Sequence, residues 1–306
     1  MFLQSPPLLE KGSIIGLVAP ASGIEGSNLI EEAIGFWQKN GYNVKLADNL
    51  RSRLHQFAGT DMERWKALQS FLDNPEIGAI HCMRGGYGTI RILSKICWNQ
   101  FLKYPKWIIG YSDITLLLNA VNSMGFEAIH GPLGTEIARA PENCKKALLK
   151  ILETGQSNFF SNSVLALQEG ESTGKLIGGN FTLLHHLIAT PWEPCWESAL
   201  LILEDIGEYY YHLDRMTQHF ILTRKWEKLN GIIIGSFTDC QEKSKGIGKN
   251  IEQIIYQLVE NPLKRNIPVV SKFPAGHIPE NFPLVLGREY KFKVTIHSCT
   301  LTSSSN

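Results

Sequence analysis

Apolar residues in the first half of the chain fall into short continuous runs, separated by longer stretches in which they recur every three or four positions. The runs at residues 13–19, 43–47, 77–83, 107–110 and 127–130 predict strands, the first of them buried. Residues 27–40 predict a helix. Ile30, Ile34 and Trp37 form an i, i+4, i+7 stripe, Ser27 is placed to cap it, and Gly41 suits the position just past its end. The stretch TDMERWKALQSFLDN opens with Thr60 and Glu63 at capping-box spacing and predicts a second helix. Strands alternating with helices imply an α/β fold, a mostly parallel sheet with helices on both faces.

The pattern changes after about residue 141. One helical piece, CKKALLKILETG, is followed by the polar stretch QSNFFSNS, read here as a connection between domains. Beyond it SALLILEDI, GIIIGSF, IPVVSKF and YKFKVTIH are strand-like, with helices expected over 213–223 and 250–260. This half is mixed and richer in strands. The tail CTLTSSSN is polar and expected to fray. The expected division is residues 1–150, a linker at 151–163, and residues 164–306. No internal repeat or low-complexity segment is visible.

Composition narrows the possible functions. With 30 basic and 29 acidic residues the net charge is +1, so nothing favours nucleic acid or an anionic membrane as partner. The six cysteines show no C-x-x-C spacing and none pairs with a nearby histidine as a zinc site would, so no metal is expected. Reduced thiols are expected, with Cys82 buried in a strand. The N-terminus lacks a basic start, a long apolar core and a small-residue cleavage site, and no run approaches the roughly 20 apolar residues that span a bilayer. A soluble, cytoplasmic protein is the expectation.

Open parallel sheets bind ligands at the carboxyl ends of their strands. Two loops fall there, MRGGYGT (residues 83–89) and GYSDIT (residues 110–115). The first matches neither G-x-G-x-x-G nor a P-loop. Gly85 and Gly86 suit a turn that points N–H groups at an oxyanion, or simply a tight turn. Ser112 lies between a strand and a helix, the setting of a nucleophile elbow and equally of an N-cap. A serine nucleophile needs a base, and the base needs an orienting acid. Glu204 and Asp205 end the run ALLILE, and either is placed to be that acid. His277 lies in the loop FPAGHIPEN after a strand. By contrast, His81 lies inside a strand, and His185 and His186 sit in the apolar LLHHLI. The order serine, acid, histidine is a known triad order.

These residues bring a resemblance into view. The blocks GLVAPASG, FAGTDMERWKALQSFL, MRGGYGTIRIL, IGYSDIT, HGPLGTE, GKLIGGNFTLL, LILEDIGEYYYHLDRM, GIIIGSF and FPAGHIPEN, in that order, resemble the LD-carboxypeptidases, or muramoyl-tetrapeptide carboxypeptidases, a family of serine peptidases. The resemblance implies a flavodoxin-like N-terminal domain and a C-terminal swivelling-type β/α domain with the active site between them. It also implies a homodimer, no metal or cofactor, and a murein tetrapeptide as substrate. It puts the nucleophile on Ser112, the acid on Glu204 rather than Asp205 or Glu208, and the base on His277. The oxyanion donors fall on the backbone N–H groups of Gly86 and Asp113. One departure is FPLVLG, residues 282–287, where relatives often read L-P-x-G, a difference expected to alter the pocket wall.

A carboxypeptidase must also hold a free carboxylate, for which Arg84 and Arg215 are candidates, either of which could instead serve structure. Glu208 faces a substrate ammonium or a surface base. Two other readings stay open. Some family members cleave peptidyl nucleotides and confer microcin immunity, and the aromatic run EYYYH (residues 208–212) could stack a base. A muropeptide-binding module without catalysis is the other, though such a module has no need of a complete triad.

Overall fold

A computed structural model describes residues 4–26, 28–243, 245–260 and 267–303 of the 306-residue chain. The first elements are β1 (Ile14–Val18), α1 (Leu29–Lys39), β2 (Asn43–Leu46), α2 (Asp61–Asp73), β3 (Ile77–Cys82), α3 (Thr89–Leu93), α4 (Asn99–Lys103), β4 (Trp107–Gly110), α5 (Thr115–Ser123), β5 (Ala128–His130), α6 (Gly134–Ile137) and α7 (Glu142–Thr154). There follow β6 (Asn158–Ser161), β7 (Leu165–Gln168), β8 (Gly170–Asn180), α8 (Phe181–Leu187), β9 (Ala199–Ile206), α9 (Tyr210–Leu222), β10 (Leu229–Thr238), α10 (Ile251–Glu260), β11 (Val269–Ser271), β12 (Leu284–Leu286), β13 (Glu289–Thr295) and β14 (Ser298–Ser303). The chain divides into two compact units, Met1–Gly155 with Phe282–Val285, and Gln156–Asn281 with Leu286–Asn306.

The first unit is built on a six-stranded sheet of order β12-β5-β4-β3-β1-β2. Strands β1 to β5 all pair in parallel. Ile15, Leu17, Val18, Ile80, Ile108 and Ile109 are wholly inaccessible, as expected for strands covered on both faces. The pairing has a local consequence. Val18 of β1 lies opposite Cys82 of β3, and His81 of β3 opposite Ile109 of β4. The loops that follow these three strands therefore leave the sheet side by side. The second helix carries the expected capping box. Thr60 Oγ1 accepts from the Glu63 N–H at 3.2 Å, and Glu63 Oε2 accepts from the Thr60 N–H at 2.7 Å. At the first helix the expected cap, Ser27, lies outside the described residues. Asn28 holds the N-cap position and makes no side-chain capping bond.

The second unit carries an eight-stranded mixed sheet of order β6-β14-β13-β8-β9-β10-β11-β7. Its centre, β8 to β11, is parallel, and β13, β14, β6 and β7 are antiparallel to their neighbours. Leu201, Leu203, Ile232 and Ile234 pack with Phe181, Leu213, Phe220, Ile254 and Leu258 into one core.

Several elements differ from expectation. The polar stretch expected to connect domains contains β6, and α7 runs past residue 150 to Thr154. Phe159 is drawn into the sheet by Phe273, their ring centroids 4.3 Å apart. Of the tail expected to fray, residues 304–306 lie outside the described residues, and residues 299–303 belong instead to β14, paired with β13 from Tyr290↔Ser303 to Thr295↔Ser298. Its apolar face is only Cys299 and Leu301, both buried, and the serines and threonines between them hide the alternation. Residues 284–286, within the departure FPLVLG and not read as a strand, form the edge strand β12 of the first sheet. Helix α9 begins at Tyr210, three residues earlier than expected, and absorbs much of the aromatic run. All six cysteines are free thiols, and Cys82 is buried. Among the described residues no helix is long and apolar enough to cross a membrane.

A buried histidine ties the first unit together. Trp37 Nε1 donates to His81 Nδ1 at 3.1 Å, so the proton of the neutral ring sits on Nε2, which donates to the Pro132 carbonyl at 2.9 Å. Burial pushes the imidazole down to about 4 from an ordinary 6.5. The unfolded chain thus takes up this proton near pH 6.5 while the native state resists it to about pH 4. The stabilisation is complete above 6.5 and is lost as pH falls towards 4, by about 3 kcal/mol across the window. Urea midpoints measured from pH 7.5 to 4 should fall more steeply for wild type than for His81→Gln. Equal slopes would remove His81 as the cause.

Candidate active site

In the first unit the nucleophile candidate lies just past the carboxyl end of β4. Ser112 has φ 61°, a left-handed conformation in which a residue with a β-carbon is strained by roughly 1–3 kcal/mol. It is half-buried, and a single turn of 3₁₀ helix over Ser112–Ile114 leads directly into α5. The positive end of that helix, with the Asp113 N–H, therefore sits beside the serine.

The glycine-rich loop after β3 lies against this turn. A β-carbon on Gly85 would stand 2.9 Å from Ser112 Cβ, 3.1 Å from its Oγ and 3.4 Å from the Asp113 nitrogen, so only glycine permits the approach. Gly86 has φ +88°. Three side chains fix the loop. Asp113, almost wholly buried, accepts the Thr89 N–H on Oδ2 at 2.8 Å. The buried Arg64 donates from Nη1 to the Gly88 carbonyl at 2.9 Å and the Pro20 carbonyl at 2.8 Å, and pairs with Asp61. Ser22 Oγ accepts the Tyr87 N–H at 3.1 Å. Burial pushes the Asp113 carboxyl up, and its bonds from Thr89 work the other way.

In the second unit Glu204 and Asp205 close β9, both buried. Consecutive strand residues point to opposite faces, so the two carboxylates meet different partners. Glu204 Oε2 lies 2.7 Å from His277 Nδ1. Asp205 turns to the start of α8. It accepts Asn180 Nδ2 at 2.8 Å and the Thr182 N–H and hydroxyl at 3.0 and 2.8 Å, while Asn180 Oδ1 caps Leu183 at 3.1 Å. Complete burial pushes the Glu204 carboxyl up, opposed by the bond from His277. With Nδ1–H donating to that carboxylate, the imidazole lone pair falls on Nε2, the atom a general base uses.

The His277 loop is itself held. Thr238 Oγ1 donates to the His277 carbonyl at 2.9 Å, and Asn281 Oδ1 accepts the Gly276 N–H at 2.9 Å. Sequence reasoning missed these supports, along with Ser22, Arg64 and Asn180. A loop hydroxyl carries no periodic signal, although the PASG loop already stood at a strand's carboxyl end.

The proposed substrate contacts are less free than the sequence suggested. Arg84 pairs with Glu25 at 3.7 Å. The Arg215 guanidinium lies over the Tyr211 ring, 5.5 Å from its centroid. Glu208 meets His212 Nδ1 at 2.7 Å and the Thr182 hydroxyl at 3.4 Å. Tyr209 and Tyr211 stack on each other with centroids 5.9 Å apart, and the Lys243 ammonium lies 4.8 and 5.0 Å from them. Among the described residues no group of three histidine, cysteine or acidic side chains is arranged to hold a metal ion.

Comparison with known proteins places the chain. Residues 15–131 match the LD-carboxypeptidase N-terminal domain and residues 173–292 the LD-carboxypeptidase C-terminal domain. The chain is 30% identical to the murein tetrapeptide carboxypeptidase of Pseudomonas aeruginosa, over 87% of this chain and 89% of the relative. It is 24% identical to the microcin C7 self-immunity protein MccF of Escherichia coli, over 94% and 93% of the two chains. A structure of MccF with glutamyl sulfamoyl guanosine superposes with a TM-score of 0.87 at 20% identity, covering 99% of each chain. The muramoyltetrapeptide carboxypeptidase of Oxalobacter formigenes superposes with a TM-score of 0.82 at 24% identity, covering 95% of this chain and 99% of the other. The protein is a carboxypeptidase by class. It belongs to the LD-carboxypeptidase family.

The two strand-end carboxylates should separate on mutation. Asp205→Ala strips the acceptor from three donors at the start of α8 and should destabilise the protein by about 3 kcal/mol. Glu204→Gln keeps the volume and should leave the urea midpoint closer to wild type. The reverse ranking would mean that Glu204 is the structural acid.

Proposed function

We propose that this protein is a serine LD-carboxypeptidase that removes the terminal D-alanine of murein tetrapeptides by cleaving its bond to an L-centre. The observation that carries the reading is the 2.7 Å contact of the buried Glu204 with His277 Nδ1, which sets the ring tautomer as a base requires. The left-handed turn at Ser112 and the name of the Pseudomonas relative support it.

In this reading Ser112 Oγ attacks the carbonyl carbon as its proton passes to His277 Nε2. The carbonyl electrons move onto oxygen, where the N–H groups of Gly86 and Asp113 receive the charge. Collapse expels the D-alanine nitrogen, which takes the proton from His277, and leaves an acyl ester on Ser112. Water then gives a proton to His277 and attacks the ester, and Ser112 recovers its proton as it leaves. Glu204 steadies the imidazolium at both stages. No cofactor takes part. Cytoplasmic peptidoglycan recycling by a homodimer completes the proposal, carried by the family resemblance.

The second reading, cleavage of a peptidyl nucleotide, finds support in the likeness to MccF. The tyrosines that the sequence offers to a base are taken up by each other and by Lys243.

Mass spectrometry of a tetrapeptide ending in L-diaminopimelyl-D-alanine should show loss of one alanine with wild type and none with Ser112→Ala. Glu204→Gln should lower kcat by about 1000- to 10,000-fold. An active Ser112→Ala would overturn the nucleophile. Inert wild type that cleaves an aminoacyl sulfamoyl adenylate would favour the second reading.

A further inference from the structure

Ser22 is absent from the proposed chemistry, yet it grips the loop on both sides of Gly86. Its N–H donates to the Gly85 carbonyl at 3.1 Å, and its Oγ accepts the Tyr87 N–H at 3.1 Å. The two residues are in close contact, since a β-carbon on Gly86 would lie 2.3 Å from Ser22 Oγ. The serine is buried, so water does not compete freely for these bonds.

The neighbouring ties continue along the loop. Arg64 holds the Gly88 carbonyl and Asp113 holds the Thr89 N–H. Residues 85, 87, 88 and 89 are thus each anchored by a main-chain atom. Among the described residues the N–H groups of Gly85, Gly86 and Gly88 make no hydrogen bond, and of these only Gly86 has a Ser22 bond on each neighbouring residue. That pair of bonds fixes the peptide groups on either side of the Gly86 N–H and so aims that donor.

We propose that Ser22 is a positioning residue for the Gly86 N–H, holding that donor towards the oxygen that becomes negative when Ser112 attacks. This rests on the reading of Ser112 as nucleophile and goes beyond it, because Ser22 touches neither substrate nor reacting atoms. A donor that drifts by a fraction of an ångström loses part of its stabilisation of the transition state and little of its hold on the ground state.

The test compares wild type, Ser22→Ala and Ser22→Thr on the tetrapeptide, with a peptide aldehyde as mimic of the tetrahedral adduct. Ser22→Ala keeps the N–H bond to Gly85 and loses only the acceptor. Its kcat should fall about 10-fold with KM within twofold, and the aldehyde should bind about 10-fold more weakly. Ser22→Thr, which keeps a hydroxyl, should recover most of both losses. Unchanged kcat in Ser22→Ala overturns the proposal. So does a lowered Tm in both variants with kcat and KM changed alike, which marks a structural serine. Wild type that releases no alanine is the failure of the proposed function instead. The amide exchange rate of Tyr87 then still decides the clamp: faster exchange in Ser22→Ala sustains it and equal exchange overturns it.

Discussion

A carboxylate with no exposure to water is the constraint around which the second unit is arranged. Glu204 is fully buried at the end of β9, and an ionised carboxyl there is costly unless it is hydrogen-bonded. His277 supplies the bond, and to do so its loop must come close to β10. The sequence allows this only through missing side chains. A β-carbon on Gly276 would lie 2.7 Å from Glu204 Cβ and 2.5 Å from Ser236 Oγ, and one on Gly235 would lie 2.6 Å from the Ala275 carbonyl. The glycines, the threonine bond to the His277 carbonyl and the Asn281 bond to Gly276 all serve the same close approach.

The first unit solves a different problem. Its inner strands β1, β3 and β4 are buried on both faces, so polar chemistry is displaced to the loops at their carboxyl ends. There the register of three parallel strands sets three loops side by side, and polar side chains from two of those loops and from α2 lock the glycine-rich loop in place. Ser22, Arg64 and Asp113 all bond to main-chain atoms of the glycine-rich loop. That loop, residues 83–88, has no helix or strand of its own to hold it. Side chain to main chain bonding is what such a loop has in place of a ladder.

The parallel strands β1 to β5 of the first sheet and the capped helix at Thr60 were legible in the sequence because each rests on a strong local signal, whereas β8 of the second sheet was not read as a strand. The edge strands β6 and β12, and β14 beside β6, were not. β6 and β12 are only four and three residues long and lie beside β14 and β5, distant in sequence, while the two inward apolar residues of β14 alternate with serine and threonine. Ser112, Glu204 and His277 were each candidates on the sequence, and the structure joins Glu204 to His277. Which of two adjacent carboxylates meets the histidine was open on the residues alone, since alternation separates their faces without saying which face the loop covers. Arg84, Arg215 and Glu208 were plausible substrate contacts from charge, but their partners are set by tertiary packing. The bonds of Asp205 to Asn180 and Thr182 likewise join segments that sequence patterns treat separately.

The edge strand β12 comes from a chain that has already completed most of the second unit. Residues 282–285 return to the first unit after more than 120 intervening positions, and the sheet order places them beside β5. During synthesis the first unit must therefore wait with one sheet edge uncovered until residues 282–285 have left the ribosome. An open edge is a template for wrong pairing, so the nascent chain passes through a vulnerable interval that its finished form does not reveal. The order in which the ribosome delivers the strands thus shapes the hazards this enzyme meets before it ever meets a substrate.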